Sequence, residues 1–202
     1  MRDGQIESRK LVTDGAIVDA VMGRSPASVL DVGCGEGWLA RALSERGVRA
    51  IGVDVVPALI EQARRLGGGE FRVASYEAIA AGELDVEVDV AVANFSLIGG
   101  ESVENLLRRA PSLLNPGGAL VIQTVHPRQG CGDLPYEDGW REGSWAGFGE
   151  EFTDPAPWYF RTMESWVKLL LGSGFGAVEV REPVHPVSGT PASLILIAER
   201  PG

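Results

Sequence analysis

The sequence predicts an α/β protein with a doubly wound, seven-stranded sheet, mostly parallel with an antiparallel last strand, and with helices on both faces. Short apolar runs such as 29–32 alternate with segments of helical periodicity, which is typical of parallel strands buried on both faces. The first run ends in closely spaced glycines that lead into an amphipathic helix. The last two runs are joined by 182–192, which contains no segment of helical length, so we expect them to pair antiparallel.

Each predicted element follows from its apolar pattern and from the residues at its ends. The predicted strands are 29–32, 49–53, 70–74, 86–93, 119–125, 177–181 and 193–199. The predicted helices are 8–22, one that begins near Leu39, 57–66, 104–114 and 163–171. Pro57 suits the first turn of a helix, the glycines at 67–69 end that helix, and Thr162 caps the last one.

Length and composition limit the class of protein. At 202 residues, of which 45% are hydrophobic, the chain suits one domain over 1–202 with a single core. No apolar run reaches the roughly 18 residues of a membrane span, and 1–10 lacks the apolar core of a signal peptide, so we expect a cytoplasmic protein without a membrane partner. Cys34 and Cys131 fit a reducing compartment better than a disulfide framework. The net charge of −10 argues against a nucleic-acid partner, and we expect a monomer or a homodimer.

The glycines after the first strand predict a ligand site. Gly33, Gly35 and Gly37 have the spacing Gly-x-Gly-x-Gly, whereas the pyrophosphate loop of dinucleotide-binding proteins is Gly-x-Gly-x-x-Gly. This spacing favours a ligand without a pyrophosphate. Asp54 ends the second predicted strand about 20 residues after Gly33, where an acid can accept both hydroxyl protons of a ribose. The glycines and the acid together predict an adenosine ligand.

Residues 29–40, with Asp31 before the glycines, and 51–54 resemble the S-adenosylmethionine site of class I methyltransferases, which have a Rossmann-like fold. The resemblance covers the chain apart from an insertion at about 127–160, and it is to the small-molecule type, similar to methyltransferases of ubiquinone and menaquinone biosynthesis. It implies S-adenosylmethionine as the cofactor and no metal, with the loop around the methionine part and the acid on the ribose. The implied cofactor-binding residues are Asp31, Gly33, Cys34, Gly35, Gly37, Asp54, Val55, Ser75, Tyr76, Asn94 and Phe95. The alternative is a tight turn and a helix cap without a ligand.

The chain departs from the family pattern at two places. Ser75-Tyr76 stands where the family usually has an Asp against the adenine amino group, and Ser75 can form a hydrogen bond but carries no charge. Adenine and glutamine N-methyltransferases have Asn or Asp, then Pro-Pro-Tyr, after the fourth strand, whereas this chain has 94–97, Asn-Phe-Ser-Leu. Asn94 therefore either caps the loop or presents its carbonyl to the cofactor. The first helix packs over the cofactor site in the family, and here it is either such a cover or only a packing element.

The segment 127–160 predicts an insertion rich in rings. Eight of the 14 aromatic residues fall between Leu134 and Phe160, and the Gly and Pro pattern excludes a long helix and favours a hairpin or a folded lid. The segment is either a lid over the substrate or a satellite core that packs on the sheet or on a partner subunit. As a lid, its candidate substrate contacts are Trp140, Trp145, Trp158 and Tyr159. Between 133 and 154 the carboxylates accompany a single arginine, which predicts a neutral or cationic acceptor with an apolar or aromatic body.

His126, at the end of the fifth predicted strand, is the candidate catalytic base. Methyl transfer from a sulfonium mainly requires alignment and exclusion of water, and a base is needed only for a hydroxyl or an acidic carbon. His126 either takes a proton from the acceptor or bonds the backbone before Pro127, and His185 is expected to be structural. The predicted function is S-adenosylmethionine-dependent methyl transfer to a small-molecule acceptor. The alternatives are a nicotinamide-dependent reductase, which the glycine spacing disfavours, and a non-catalytic S-adenosylmethionine-binding protein.

Overall fold

The computed structural model describes residues 2–143 and 157–202, with side chains described from residue 12 onward. The strands are β1 (Ser28–Val32), β2 (Arg49–Asp54), β3 (Glu70–Val73), β4 (Val88–Asn94), β5 (Leu114–Thr124), β6 (Gly139–Arg141), β7 (Trp158–Phe160), β8 (Ala177–Arg181) and β9 (Leu194–Glu199). The helices are α1 (Arg2–Met22), α2 (Trp38–Ser44), α3 (Pro57–Leu66), α4 (Tyr76–Ala80), α5 (Glu101–Arg109), α6 (Pro127–Gly130) and α7 (Met163–Gly172), with a 3₁₀ turn, Ala110–Leu113, after α5. In these two ranges no helix combines the length and the apolar content needed to cross a membrane.

Seven strands form one sheet in the order β3-β2-β1-β4-β5-β9-β8. The pairs from β3 to β5 are parallel, and β9 is antiparallel to both of its neighbours. This confirms the predicted sheet, mostly parallel with an antiparallel last strand. Because β8 runs in the same direction as β1–β5, the connection 182–193 lies at the edge where those strands end. We call this the carboxyl edge.

Helices cover both faces of the sheet, as the sequence predicts. On one face the strands pack against α5 and α7, where Trp166 is buried in the core. On the other face α1 and α2 pack on the strands through Ile17 and Leu39. Alternate side chains of one strand point to opposite faces of the sheet, since Leu30 belongs to the first core and Val29 to the second. The apolar runs are therefore buried strands with cores on both sides.

Several elements differ from the sequence-based prediction. The first helix begins at Arg2 rather than at residue 8. The fifth helix ends at Arg109 and continues as a 3₁₀ turn, because Pro111 has no N–H for a helical hydrogen bond. The fifth strand begins at Leu114 rather than at residue 119, with a register shift between β4 and β5 near its start. The sequence does not predict α4, since five residues are too short to show helical periodicity.

The insertion contributes a second, two-stranded sheet. Its strands β6 and β7 pair antiparallel with Gly139 opposite Phe160, in agreement with the hairpin that the Gly and Pro pattern predicts. Residues 144–156, among them the candidate substrate contact Trp145, lie outside the described residues. The geometry of the insertion is therefore described for 127–143 and 157–160.

Candidate functional site

The glycine loop joins β1 to α2 at the carboxyl edge. Gly33, Gly35 and Gly37 have φ angles of 75°, 54° and 78°, in the left-handed region that glycine adopts without strain. The N–H groups of Gly33 and Cys34 donate to the carbonyl of Val53 at 2.8 and 3.0 Å. These two bonds hold the loop against the end of β2.

The three glycines face different surroundings. A Cβ on Gly33 would lie 2.4 Å from the Cβ of Ser96, and a Cβ on Gly37 would lie 2.6 Å from the ring of Phe71. A Cβ on Gly35 would meet nothing within 4 Å. Gly33 and Gly37 are therefore required by packing within the protein, whereas Gly35 borders open space in which a ligand can approach the backbone.

Asp54 lies between the glycine loop and the start of α3. Its Oδ2 accepts the N–H of Gly35 at 2.9 Å, and its Oδ1 accepts the N–H of Val56 at 2.9 Å. Each carboxylate oxygen has further lone-pair capacity, so both can also accept a hydroxyl proton. The neighbouring Val55 is 61% exposed at the same edge. This arrangement suits the ribose contact that the sequence predicts for Asp54.

Asp31 is a buried carboxylate beside the loop. It is 2% exposed, and its Oδ2 has no hydrogen-bond partner among the described residues. Burial, followed by the charge of Asp54, raises the pKa of Asp31 to about 7, while the N–H of Ala40 acts in the opposite direction. Burial also raises the pKa of the Cys34 thiol to about 12, so this cysteine is a small neutral side chain rather than a nucleophile. The unpaired oxygen of Asp31 suits a cationic group of a ligand.

Ser75 and Tyr76 begin α4 beside the loop. The hydroxyl of Ser75 caps the helix by accepting the N–H of Ala78 at 3.2 Å. The phenol of Tyr76 donates to the carbonyl of Ser96 at 2.8 Å, and burial raises its pKa to about 12, which keeps it neutral. The hydroxyl of Ser96 in turn donates to the carbonyl of Val32 at 2.6 Å. Tyr76 and Ser96, which was not a candidate from the sequence, thus join the end of β4 to the glycine loop.

Asn94 is the last residue of β4, and Phe95 follows it. Phe95 has a φ of 53°, a left-handed conformation that is strained for a residue with a side chain, and its N–H donates to the carbonyl of Gln123 at 2.8 Å. The side-chain carbonyl of Asn94 accepts a hydrogen bond from the amide of Gln123 at 2.7 Å. That carbonyl is therefore used within the protein, and the NH₂ group of Asn94 is the part left for a ligand.

His126 is buried at the end of β5. It is 1% exposed, its Nε2 lies 2.7 Å from Oε1 of Glu182, and its Nδ1 has no partner in the described part of the chain. The expected alternative, a bond from the ring to the backbone before Pro127, is not what the structure shows, since Glu182 is the partner. Glu182 directly follows β8, and no local signal in the sequence associates it with His126. His185 accepts the N–H groups of residues 187 and 188 through Nδ1 and so supports a turn.

The described rings of the insertion contact one another and the carboxyl edge. Trp158 and Tyr136 both meet Phe160 edge to face, at centroid distances of 6.0 and 5.8 Å. Trp140 meets Tyr159 in the same way at 5.5 Å but is 60% exposed. The N–H of Tyr159 donates to the carbonyl of residue 98 at 2.8 Å, which joins β7 to the loop between β4 and α5. The rings pack as a small core, and this core lies where a lid would be anchored.

Arg161 strengthens this junction, although the sequence does not single it out. Arg161 is 3% exposed, and its guanidinium donates to the carbonyls of Gly99 and Gly100 at 2.8 Å each. The same group lies 4.6 Å from the ring centroid of Tyr159 and 5.1 Å from that of Trp166. The sequence signal that could have identified Arg161 is its position directly after the aromatic run 158–160. Arg161 holds the loop after β4, the insertion and α7 together.

The fold and the site have the features of the class I methyltransferase fold: a glycine loop after β1, a carboxylate at the end of β2 and a reversed last strand. The chain belongs to the family described as "Methyltransferase domain", whose family model matches residues 14–180. This confirms the class that the glycine loop and Asp54 predict.

Similar proteins are methyltransferases with different acceptors. The ubiquinone biosynthesis O-methyltransferase of Xanthomonas euvesicatoria pv. vesicatoria is 34% identical over 105 residues, 50% of this chain and 44% of that protein. The malonyl-[acyl-carrier protein] O-methyltransferase of Salmonella typhimurium is 32% identical over 112 residues, 54% of this chain and 43% of that protein. The 1,6-didemethyltoxoflavin-N1-methyltransferase of Burkholderia thailandensis, solved with 1,6-didemethyltoxoflavin and S-adenosylhomocysteine, has a TM-score of 0.66 and 25% identity over 96% of this chain and 79% of that one. This chain spans about half the length of the curated relatives it matches.

Proposed function

We propose that the protein transfers a methyl group from S-adenosylmethionine to a neutral or cationic small molecule with an apolar or aromatic body. The observation that carries the proposal is the buried, unpaired oxygen of Asp31 beside the open side of the glycine loop at Gly35. An unpaired buried carboxylate costs folding free energy, and a cationic ligand group that enters beside Gly35 would pair with it. Membership of the methyltransferase domain family supports the same cofactor.

The residues of the loop fit the parts of this cofactor. Asp31 would hold the ammonium of the methionine part, the backbone at Gly35 would lie against its chain, and Asp54 would accept the ribose hydroxyls. Val55, Ser75 and Tyr76 remain the proposed surroundings of the adenine. When bound, the cofactor supplies a methyl group on a positively charged sulfur, which is already activated for displacement. The protein must therefore mainly align the acceptor and exclude water.

Apolar side chains at the carboxyl edge support an apolar acceptor. Phe95 is 37% exposed, Ile98 is 49% exposed and Trp140 is 60% exposed, and they belong to the end of β4, to the loop after it, and to the hairpin that contacts this loop. Exposed apolar groups on adjoining segments are typical of a binding surface. We propose that the insertion at about 127–160 is the lid of a single domain, 1–202, with Trp158 and Tyr159 as further substrate contacts.

His126 is the proposed base for an acceptor that must lose a proton. With Nε2–H donated to Glu182, the neutral imidazole has its lone pair on Nδ1, the nitrogen without a partner in the described residues. Nδ1 would take the proton as the acceptor attacks the methyl group. We further propose a cytoplasmic protein, monomeric or homodimeric, that does not bind nucleic acid, from the two free cysteines and the net charge of −10.

Ligand-induced thermal stabilisation tests the cofactor. S-adenosylmethionine or S-adenosylhomocysteine at 100 times its dissociation constant should stabilise the folded protein by about 2.7 kcal/mol, whereas NADH should not. Asp54→Ala should abolish most of this shift. The matched control is Asp89→Ala, because Asp89 also accepts backbone N–H groups, those of Ala27 and Ser28 at 2.9 Å, but at the opposite edge of the sheet.

The control should lower the melting temperature and keep the ligand-induced shift. Stabilisation of the wild type by NADH and not by S-adenosylmethionine would contradict the proposal and restore the reductase alternative. Turnover of a panel of aromatic hydroxyl and amine acceptors then separates an enzyme from a protein that only binds the cofactor.

A further inference from the structure

We infer that Gln123 is a positioning residue: it turns the Asn94 side chain so that its NH₂ group, rather than its carbonyl, faces the cofactor cleft. Asn94 then supplies the donor for a carboxylate, and Asp31 supplies the acceptor for an ammonium. The pair recognises a zwitterionic α-amino-acid group. This inference rests on the proposed function, in which the methionine part of the cofactor is that group.

The orientation of Gln123 is determined by its partners. Gln123 is 1% exposed, and its Nε2 donates to the backbone carbonyl of Thr13 in α1 at 3.0 Å. A backbone carbonyl can only accept, so the NH₂ group of Gln123 must face Thr13. The hydroxyl of Ser193, just before β9, donates to the other atom, Oε1, at 2.9 Å.

The orientation of Asn94 follows from that of Gln123. The second hydrogen on Nε2 of Gln123 points to Asn94 at 2.7 Å, so the facing atom of Asn94 must be the acceptor, Oδ1. Nδ2 of Asn94 has no hydrogen-bond partner within the described ranges and is not among their buried unpaired atoms. Its two N–H groups are therefore available to a ligand.

Asn94 and Asp31 lie on the same face of the sheet. Asp31 is paired with Val92 in the register of β1 and β4, and Asn94 is two residues beyond Val92, so the side chains of Asp31 and Asn94 point to the face covered by α1. One side chain carries an unpaired acceptor and the other an unpaired donor. An ammonium and a carboxylate on neighbouring atoms of one ligand complement this pair.

The same amide joins α1 to the site. Because Gln123 bonds both Thr13 and Asn94, the first helix is held across the carboxyl edge next to the proposed amino-acid subsite. This favours the interpretation in which α1 is a cover of the cofactor site. The network is fully bonded at Gln123, whose two donors and one acceptor all have partners, so it specifies one arrangement.

The direct test compares two ligands on Asn94→Asp by calorimetry. The Asp side chain still accepts from Gln123 but replaces the outward NH₂ group with an anionic oxygen. S-adenosylhomocysteine, which carries the amino-acid group, should bind about 10- to 100-fold more weakly than to the wild type. 5′-Methylthioadenosine, which has the same nucleoside and sulfur without that group, should bind equally to both proteins. An unchanged affinity for S-adenosylhomocysteine, or equal weakening of both ligands, would overturn the inference.

Gln123 itself is tested with Gln123→Glu and the matched control Ser193→Ala. A carboxylate at 123 can only accept, so it should draw the NH₂ group of Asn94 inward and weaken S-adenosylhomocysteine selectively. Ser193→Ala removes a bond of the same buried amide on the side away from Asn94, so it should lower stability and leave both affinities unchanged.

Should Gln123→Glu fail to fold, Gln123→Met removes the orienting bonds without a buried charge and should weaken S-adenosylhomocysteine by a few-fold relative to Ser193→Ala. Equal effects of the Gln123 and Ser193 variants on the affinity for S-adenosylhomocysteine would show that the network is only structural. A wild type that binds neither ligand would instead refute the proposed function.

Discussion

Asp31→Asn should make the protein more stable at neutral pH while making it a poorer binder. Burial raises the pKa of Asp31 from 3.8 to about 7. A group whose pKa is raised on folding contributes stability that is present below its unfolded pKa and is lost as the pH rises through its folded pKa. The wild type should therefore lose stability between about pH 4 and pH 7 through this one carboxyl, and Asn, which does not ionise, should not.

The magnitude follows from the shift. Each pH unit between the two pKa values lowers the free energy of unfolding by about 1.4 kcal/mol, so the interval from pH 5.5 to pH 7 corresponds to about 2 kcal/mol. Urea unfolding of both proteins at several pH values gives the difference between variant and wild type. Over this interval the free energy of unfolding of Asp31→Asn, relative to that of the wild type, should rise by about 2 kcal/mol. The difference should stop changing near pH 8. Constant effects, such as the unpaired amide left in the variant, cancel in this comparison.

Asp89→Asn is the control for the pH dependence. A hydrogen bond from Asn115 lowers the pKa of Asp89, so its stabilising contribution is lost only at a pH below 3.8. The difference between this variant and the wild type should therefore be flat from pH 5.5 to pH 8. Parallel stability curves for Asp31→Asn and the wild type would refute the raised pKa. Undiminished affinity of Asp31→Asn for S-adenosylhomocysteine would refute its pairing with the ligand ammonium.

Four further substitutions probe the rest of the site. Gly35→Ala should keep the melting temperature within a few degrees but abolish cofactor binding measured by calorimetry. Gly33→Ala should unfold at a markedly lower temperature, because its Cβ would lie 2.4 Å from another side chain. The reverse pattern would contradict the assignment of open space to Gly35. Arg161→Met should lower the free energy of unfolding by about 3 kcal/mol in urea, since two carbonyls lose a charged donor, and a loss below about 1 kcal/mol would show that the junction is solvated. Trp140→Ala should raise the Michaelis constant of a confirmed acceptor and leave the cofactor dissociation constant unchanged; equal effects on both would favour the satellite core over the lid.

Local signals made the cofactor half of the molecule predictable. The helix at 57–66 was predicted with the bounds that the structure shows, because a proline at its start and glycines after its end are short-range signals. The glycine loop and Asp54 were predictable for the same reason, since both follow directly from strand ends. The strand order of the structure then shows that the ends of β1 and β2 are neighbours.

The contacts that sequence reasoning missed join distant parts of the chain. His126 and Glu182 are separated by 56 residues, and Gln123 and Thr13 by 110 residues. No periodic pattern or turn signal relates such positions, because their proximity follows from the order of strands in the folded sheet. The aromatic insertion shows the same limit, since its composition indicated a cluster but not that Arg161 would anchor it.

The reversed direction of β9 places the connection 182–193 at the carboxyl edge, beside the proposed base His126, rather than at the opposite edge. This connection holds Glu182 against His126 and crosses no face of the sheet, so its length can change at a cost that grows only with the logarithm of loop length. We expect divergence among related enzymes to concentrate here and in the insertion. Acceptor preference can then evolve independently of the glycine loop, whose geometry any change of cofactor would have to rebuild.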